Sequence, residues 1–302
     1  MRTAIGIDIG GTKIAAGLVD LAAGRLIIQA EMPTPRGESA ETMLATIAGV
    51  AERMQEAAKA AQVVPLGIGI GLPELVRPDG VPASDWITPW RKRDLTKDLV
   101  RFRPVTVDSD VRLATLAELH YGHGLNLPSF VFVSIGTGLS CAVCEEGVIR
   151  RGAHGFAIHF ASGDLVSYDA ASGRKMVFNL ESFASGLGMS RVYQLRTGRE
   201  ATARDMVEGQ AGPEGAALLD EATTALASYI GQIINMIDPH GVVIGGGLGT
   251  APRFFDRLKA KVPAYIWAAD CRDLPILPSA LNATAGIIGA AALYAGPPKE
   301  RK

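Results

Sequence analysis

The residues best suited to chemistry lie where the first apolar stretch of the chain ends. Asp8 is followed by Gly10, Gly11, Thr12 and Lys13. Two adjacent glycines let the backbone approach a ligand closely, and the hydroxyl and ammonium groups that follow them suit a phosphoryl group. A hairpin with a Gly-Gly turn and no ligand has the same pattern. The stretch therefore predicts either a phosphate-binding turn or a plain hairpin.

Two later segments repeat the sequence of apolar strand and glycine turn. One follows residues 130–135, and the other follows residues 241–244. Their turns consist of Gly136, Thr137 and Gly138, and of Gly245, Gly246 and Gly247. A duplicated strand, turn and strand that faces a cleft can hold a polyphosphate from both sides. This repetition favours the phosphate-binding interpretation.

A carboxylate follows another short apolar stretch. Asp110 comes after residues 105–107 and begins the helical pattern that continues to Tyr121. An Asp at a helix start is a good N-cap, and a carboxylate within hydrogen-bond reach of a hydroxyl can act as a general base. The two roles can coexist, so Asp110 is the candidate catalytic residue.

The elements that position these residues alternate between apolar strands and amphipathic helices. Strands are predicted at 4–9, 14–20, 26–31, 66–70, 105–107, 130–135, 139–144 and 241–244, and helices at 40–61, 111–121, 180–197, 213–237 and 284–294. Residues 151–175 have little periodicity, which predicts an active-site loop. A chain of 302 residues with this alternation predicts an α/β protein of two domains, with a cleft between them as the place for chemistry.

Composition and charge exclude several classes of function. The net charge of −1 offers no field for nucleic acid or an anionic membrane, and the basic run at residues 90–93 is typical of a solvated turn. No uninterrupted apolar stretch reaches about 18 residues, and Met1 leads directly into the first strand, so we expect a cytoplasmic protein. Cys141, Cys144 and Cys271 are too few for a disulfide framework, and we expect the first two to be structural.

In these motifs the chain resembles the ROK family (repressor, open reading frame, kinase) of the actin, hexokinase and Hsp70 superfamily. The likeness covers residues 3–294 and includes the three glycine turns and the spacing from Asp110 to Glu118. It implies two ribonuclease H-like (actin-like ATPase) lobes with an ATP and sugar cleft between them. We expect lobes at 1–121, joined by the helix 284–296, and at 122–283. The family also implies a homodimer.

The resemblance implies transfer of the ATP γ-phosphoryl group to a sugar hydroxyl, usually the primary 6-hydroxyl, with Mg²⁺. Asp110 is then the base, Asp8 an outer-sphere partner of Mg²⁺, and the three glycine turns with Thr12 and Lys13 the nucleotide site. Seven residues are predicted to line the substrate site: Gly71, Asp85, Ser109, Asp110, His159, Ser162 and Glu181.

Departures from the family pattern concentrate on the sugar side. Ser109 and Arg112 each replace an Asn, and residues 158–162 replace the family's Gly-Glu-Ile-Gly-His motif, so that His159 stands at the Glu position. Residues 163–179 contain no cysteine, so zinc cannot bind there in the family manner. Changed polar contacts alter substrate preference, so plain glucose or N-acetylglucosamine is a weaker expectation.

The substrate class therefore stays open among several sugars. If the acidic residues Glu74, Asp85, Asp108 and Glu181 line the pocket, a cationic aminosugar such as kanosamine is expected. A C7 cyclitol, glucose and an N-acetylhexosamine are the alternatives. A different class is a non-catalytic regulator that binds sugar or ATP, but the family's repressors carry an N-terminal winged helix, whereas this chain begins at the first strand. We therefore expect an enzyme.

Overall fold

The computed structural model describes residues 1–90, 93–102 and 104–297. Its strands are β1 Thr3–Ile9, β2 Lys13–Asp20, β3 Arg25–Pro33, β4 Ile68–Leu72, β5 Val105–Ser109, β6 Ser129–Ile135, β7 Leu139–Glu145, β8 Val148–Ile149, β9 Leu165–Tyr168, β10 Lys175–Phe178, β11 Val242–Gly245 and β12 Ile276–Pro278. Its α-helices are α1 Ala40–Ala60, α2 Leu95–Asp98, α3 Asp110–Tyr121, α4 Leu180–Ala184, α5 Gly186–Thr197, α6 Ala203–Glu208, α7 Gly212–Ile237, α8 Pro252–Lys261 and α9 Ala285–Ala292.

The chain divides into two compact units that interleave along the sequence. The first contains Met1–Ser129, Ala142–Ile158 and the residues from Ser279 onward. The second contains Phe130–Cys141 and His159–Pro278. Each unit has its own strands and helices, as expected for two α/β domains. The boundary predicted between residues 121 and 122 stays a prediction.

The sheet of the first unit has the strand order β3-β2-β1-β4-β5. The first three strands are antiparallel, whereas β4 and β5 run parallel to β1. In the register, Asp8 pairs with Gly71, and Gly71 pairs with Asp108. Three residues that the sequence places far apart therefore lie side by side at one edge of this sheet.

Helices cover both faces of this sheet. Helix α1 begins after Ser39, whose hydroxyl accepts a hydrogen bond from the Thr42 amide, and it buries an apolar stripe against the strands. On the other face α9 approaches so closely that a Cβ on Gly6 would lie 1.9 Å from the carbonyl oxygen of Ile287. Only glycine allows this contact between strand and helix backbones.

The second unit is built on β12, β11, β6 and β7, in that order. β11 runs parallel to both β6 and β12. Its longest helix, α7, starts with Pro213 in the first turn and buries one side at helical spacing, including Leu218, Ala222, Leu226, Ile230 and Ile234. The helical segments predicted at 180–197 and 213–237 both lie in this unit. They belong to the connection between the parallel strands β6 and β11, and parallel strands need such a crossover.

Two predictions of local structure were wrong in detail. The helix predicted over 180–197 is two helices, because Ser185 adopts an extended conformation and its hydroxyl caps α5 by accepting from the Gly188 amide. The loop predicted over 151–175 contains β9 and the start of β10, which form an exposed hairpin. Among the described residues, no helix is both long and apolar enough to cross a membrane.

Candidate functional site

The first glycine turn joins β1 to β2. The Gly10 amide donates to the carbonyl oxygen of Lys13 at 2.9 Å, and the Thr34 hydroxyl donates to the Gly10 carbonyl at 2.7 Å. The Lys13 ammonium pairs with the Glu31 carboxylate at 2.6 Å, and both side chains are about half exposed. The structure thus places Gly10, Gly11, Thr12 and Lys13 in a closed hairpin turn, with the cation of Lys13 bound to a neighbouring strand.

Two half-buried carboxylates, those of Asp8 and Asp110, interact electrostatically near this turn. Burial, and then repulsion from Asp110, raise the pKa of Asp8 to about 7, and Lys13 opposes them less strongly. Burial also raises the pKa of Asp110 to about 6, against hydrogen bonds from the Val111 amide and the Ser109 hydroxyl. Such paired, raised carboxyl pKa values are typical of functional sites.

The position of Asp110 at the helix start differs from that of an N-cap. Ser109 is the N-cap residue of α3, and Asp110 is the first helical residue. Its Oδ1 accepts from the Val111 amide at 2.6 Å and from the Ser109 hydroxyl at 3.4 Å. No described residue donates a hydrogen bond to Oδ2. One oxygen is therefore oriented by the protein while the other can accept a proton.

Gly71 lies directly beside the Asp8 carboxylate. A Cβ on this glycine would be 3.3 Å from Oδ1 of Asp8. On the other side, a Cβ on Gly286 in α9 would be 2.2 Å from Oδ2. The Asp8 carboxylate therefore occupies space that two glycines leave free. The sequence analysis had selected Gly71 but missed Gly286.

Two of the four acids expected to line the sugar pocket are satisfied by other groups. Glu74 is fully buried and accepts from the Ser84 hydroxyl at 2.5 Å and from the amides of Trp86 and Ile87 at 3.0 and 2.8 Å. This carboxylate therefore fixes the loop that contains the exposed Asp85. Its oxygens already have donors, so Glu74 has little capacity left to bind a substrate directly, and its place among the pocket acids stays a prediction.

Asp108 is bound by two arginines. It is 2 % exposed and accepts from Arg112 Nε at 2.7 Å through Oδ1 and from Arg151 at 2.5 Å through Oδ2. The Ser109 amide donates to Oδ1 as well, at 2.8 Å. The charge of Asp108 is therefore already balanced by two guanidinium groups, which argues against a contact with a cationic ligand, and its place among the pocket acids stays a prediction.

The two glycine turns of the second unit line one cavity of about 1100 Å³. The turn 136–138 is closed by a bond from the Gly136 amide to the Gly138 carbonyl oxygen, at 3.0 Å, and is fastened to the start of α5 by the Gly186 amide, which donates to the Gly136 carbonyl at 2.8 Å. Gly136, Thr137 and Gly247 all lie on the cavity wall. The sequence analysis missed the fastening by Gly186, although the Ser-Gly break that allows it is visible in the sequence.

The glycines after β11 differ in what they need. Gly246 has a φ of +81°, and a Cβ there would lie 2.4 Å from the Ile135 carbonyl oxygen. A Cβ on Gly245 would meet the ring of Phe132 at 2.2 Å. A Cβ on Gly247 or on Gly136 would meet no described protein atom within 4 Å. The first two glycines serve folding, whereas the last two border open space that a ligand can fill.

Three residues predicted on the sugar side form a hydrogen-bonded chain. The Ser162 hydroxyl donates to the Glu181 carboxylate at 2.5 Å and lies 3.1 Å from Nδ1 of His159. Because the single hydroxyl proton goes to the carboxylate, Nδ1 of His159 must carry the proton of the second bond. Burial lowers the pKa of His159, against the attraction of Glu181. Glu181 also borders Gly138, where a Cβ would be 3.1 Å from its Oε1.

The basic run and the cysteines have ordinary surroundings. Trp90 is buried, and Arg93 pairs with Glu41 and Asp98, each at 2.7 Å. Residues 91 and 92 of the predicted solvated turn lie outside the described residues. Burial raises the pKa of Cys141 to about 12, and Cys144 is fully buried, so neither thiol is activated.

Comparison with known proteins decides the family. A sequence model described as "ROK family" matches residues 4–296. The chain belongs to the ROK family. It is 26% identical over 324 residues to the glucokinase of Streptomyces coelicolor, with 98% of this chain and 99% of that enzyme covered. It is 30% identical over 300 residues to the bifunctional enzyme NanE/NanK of Brucella melitensis, covering 96% of this chain but only 54% of that enzyme.

This ROK chain also matches solved structures. The crystal structure of a ROK family glucokinase from Streptomyces griseus in complex with glucose and AMPPNP has a TM-score of 0.81 to it, at 23% identity. The match covers 96% of this chain and 98% of that one. The likeness confirms the predicted α/β fold class, and the sequence model confirms the predicted family.

Proposed function

We propose that the chain transfers the γ-phosphoryl group of ATP to the primary 6-hydroxyl of a hexose-like sugar. Sugar phosphorylation as such is supported by the family and by relatives named as sugar kinases. The observation that carries the proposal is the state of Asp110, whose Oδ1 is oriented by the Val111 amide while Oδ2 accepts no bond from the described chain. A carboxylate so held can take the proton of an attacking hydroxyl, which commonly contributes about 10²- to 10⁴-fold to the rate.

The second unit fits the nucleotide. Gly136 and Gly247 have no protein neighbour within 4 Å where a side chain would extend, and both lie on the wall of the large cavity. Backbone amides at such turns bind phosphate oxygens without the steric hindrance of a Cβ. We assign Gly136, Thr137 and Gly138 to the phosphates and Gly245–Gly247 to the adenosine. Gly10, Gly11, Thr12 and Lys13 of the first unit complete the predicted phosphate contacts.

Asp8 is the residue suited to Mg²⁺. Its carboxylate has a pKa near 7 and accepts no hydrogen bond from the described residues, so its negative charge is poorly compensated. A hydrated divalent cation is commonly held through one or two carboxylates, and Asp8 would hold it through water. When bound, Mg²⁺ supplies charge neutralisation for the transferred phosphoryl group.

For the sugar we propose contacts from His159, Ser162 and Glu181, together with Gly71, Asp85 and Ser109. Since Glu74 and Asp108 are satisfied internally, a cationic aminosugar such as kanosamine is supported only by Asp85 and Glu181. His159 stands where the family has a Glu, and this still favours an unusual sugar over plain glucose. A sugar hydroxyl that bonds to the family's Glu would not find the same partner in His159. The C7 cyclitols and N-acetylhexosamines remain alternatives for the same site.

The test is an assay of ADP release with Mg-ATP against glucose, N-acetylglucosamine, N-acetylmannosamine, glucosamine, kanosamine and C7 cyclitols. We expect turnover of at least one sugar, loss of it in Asp110→Asn, and retention in the exposed control Asp256→Asn. The position of the new phosphate, read by NMR, checks the 6-hydroxyl. If ATP binds but no sugar is turned over, the chain is a binding protein or regulator, or its substrate lies outside this panel.

We propose a homodimer from the family resemblance alone. Light scattering after size exclusion gives the mass directly. A mass twice the chain mass of 31.7 kDa supports the dimer, and a mass of one chain contradicts it.

A further inference from the structure

Arg112 is a buried cation that the proposed chemistry does not use. Its side chain is 1 % exposed, and all three nitrogens of the guanidinium group donate hydrogen bonds. Nε donates to Asp108 Oδ1 at 2.7 Å, one terminal nitrogen to the Gly155 carbonyl at 2.6 Å, and the other to the Val76 carbonyl at 3.0 Å. Arg112, in the first turn of α3, therefore connects three segments of the first unit: the end of β5, the loop after β4 and the segment that follows β8.

The two loops that Arg112 joins also contact each other. Gly155 has a φ of +81°, and a Cβ on it would lie 2.4 Å from the Val76 carbonyl oxygen. A glycine is therefore required where the segment 151–158 crosses the loop after β4. We call Arg112, Asp108, Val76 and Gly155 the arginine clamp.

The chemistry of the clamp explains why it requires arginine. Two carbonyl groups and a carboxylate need hydrogen-bond donors that point in three directions. The planar guanidinium group provides all three donors in a fixed geometry, whereas a lysine ammonium group cannot reach all three acceptors at once. Burying this charge is costly unless every donor is used, and Asp108 supplies the counter-charge. An exposed ion pair such as that of Arg150 with Glu145 fixes no backbone in this way.

We propose that Arg112 is a positioning residue for the sugar: it holds the segment 151–158 against the start of the helix that carries Asp110. This inference rests on the proposed function, because the segment continues into His159 and Ser162, which we assign to the sugar. The clamp thereby governs affinity for the sugar and leaves nucleotide affinity, which we assign to the three glycine turns, unchanged. Arg112 takes the place of an Asn in the family pattern, and an Asn side chain is too short to bond to both loops.

The first test is made without substrate. Hydrogen–deuterium exchange should show faster exchange in Arg112→Gln at the amides of Arg77 and Ala157, which bond to Val81 and Arg151 in the intact loops. Exchange in α1 and α7 should not change. In the control Arg150→Gln we expect the exchange pattern of the parent protein throughout. Equal exchange in both variants would overturn the clamp.

The second test separates sugar from nucleotide. Burial raises the pKa of Asp110 to about 6 and Arg112 lowers it, so the assay is run at pH 8, well above that value. With the sugar that the panel identifies, we expect Arg112→Gln to raise the sugar KM about tenfold or more, while kcat and the KM for Mg-ATP change by less than about threefold. Arg112→Lys should restore little, because the ammonium cannot bond both carbonyls. A fall in kcat with an unchanged sugar KM, or a parallel change in both KM values, would contradict the proposal.

A second variant covers the case in which Arg112→Gln fails to fold. Gly155→Ala leaves the guanidinium and Asp108 intact but forces the two loops apart, so it should raise the sugar KM alone, as Arg112→Gln does. An unchanged sugar KM in Gly155→Ala would overturn the proposal. The proposed function is tested separately. If the parent protein turns over a sugar and the single variant Asp110→Asn does not, the proposed function stands whatever the results for Arg112 and Gly155.

Discussion

The proposed nucleotide cavity and the carboxylates of the first unit are built by different means. In the cavity of the second unit the glycine turns offer backbone, and Gly136 and Gly247 border open space because they lack a side chain, whereas His159, Ser162 and Glu181 of the same unit form a separate side-chain network. The first unit offers charge: Asp8 and Asp110 have raised pKa values, while Asp108 is neutralised by Arg112 and Arg151. A backbone site has to keep its glycines, whereas a side-chain site can be rebuilt by exchanging partners.

This contrast explains where the chain agrees with its family and where it departs. The glycine turns match the family pattern, and the structure shows why their positions tolerate so little change: Gly245 and Gly246 have neighbours within 2.4 Å of a Cβ position. The exchanged residues Arg112, His159 and Ser162 all belong to side-chain networks. Substrate preference can therefore change while nucleotide binding stays the same.

The largest expected effect tests the charged region. Asp110→Asn removes the oxygen that accepts the proton, so kcat should fall by about 10²- to 10⁴-fold while ATP affinity changes by less than about twofold. Steady-state kinetics and ATP titration by calorimetry measure the two quantities. Asp256→Asn, at an exposed position of α8, is the matched control. A loss of less than about fivefold would mean that another group takes the proton.

The next prediction compares two neighbouring glycines after β11, at the proposed nucleotide site. Gly247→Ala places a methyl group in open space, so stability should change by less than about 1 kcal/mol while ATP affinity falls about tenfold. Gly246→Ala strains a residue at φ +81° and meets the Ile135 carbonyl, so it should lose about 2 kcal/mol or more of stability. Thermal unfolding and ATP titration distinguish them.

Gly49→Ala in α1 is the control for the glycine pair. Gly49 has no described neighbour within 4 Å of a Cβ position and lies inside a helix, so alanine should stabilise by about 0.5–1 kcal/mol and leave ATP affinity unchanged. If Gly247→Ala binds ATP as tightly as this control does, the cavity beside Gly247 is not the nucleotide site.

A third prediction concerns pH. The base form of Asp110 is lost as pH falls through its pKa of about 6, so kcat/KM at saturating Mg-ATP should fall about tenfold per pH unit below that value. The charges that act on it besides burial are those of Asp8, Glu74 and Arg112. The profile of Asp256→Asn should coincide with that of the parent protein. A flat profile from pH 7.5 down to pH 5 would exclude Asp110 as the titrating base.

The smallest expected effect concerns how the Asp8 carboxylate changes protein stability with pH. Because the pKa of Asp8 is raised from 3.8 to about 7, the native state binds more protons than the unfolded state between these values, so stability falls as pH rises through them. Without Mg²⁺ or nucleotide, Asp8→Asn should therefore gain about 1–2 kcal/mol in unfolding free energy at pH 8 and nothing at pH 4. Denaturant unfolding at both pH values measures it, and Asp256→Asn serves again as the control. Destabilisation at pH 8 would show that the charge supports the fold.

Much of the fold could be predicted because local signals and tertiary packing agree. Helix α1 and the apolar strands before each glycine turn lie where the sequence pattern placed them. The break at Ser185 was missed because apolar spacing continues across it, and the hairpin of β9 and β10 because its exposed residues do not alternate between polar and apolar.

The membership of the candidate site stays a prediction, and the connections among its residues could not be predicted. The chain of His159, Ser162 and Glu181 joins residues that sequence comparison had already selected. Saturation of Glu74 depends on two backbone amides more than ten residues away, which no local pattern reveals. The pair of Asp108 and Arg112 at i, i+4 was visible in the sequence, but the carbonyl partners of Arg112 come from two loops that only the tertiary structure brings together.

The contact of α9 with the first strands has a consequence for how the protein is made on the ribosome. Gly6 and Gly69 are covered by the backbone of α9, and Gly286 of that helix borders the Asp8 carboxylate, although these partners are more than 200 residues apart in the chain. Strands β1, β2, β4 and β5 leave the ribosome long before α9 is synthesised, so one face of their sheet waits uncovered during translation. A nascent chain therefore needs protection from aggregation at this face until α9 has been added.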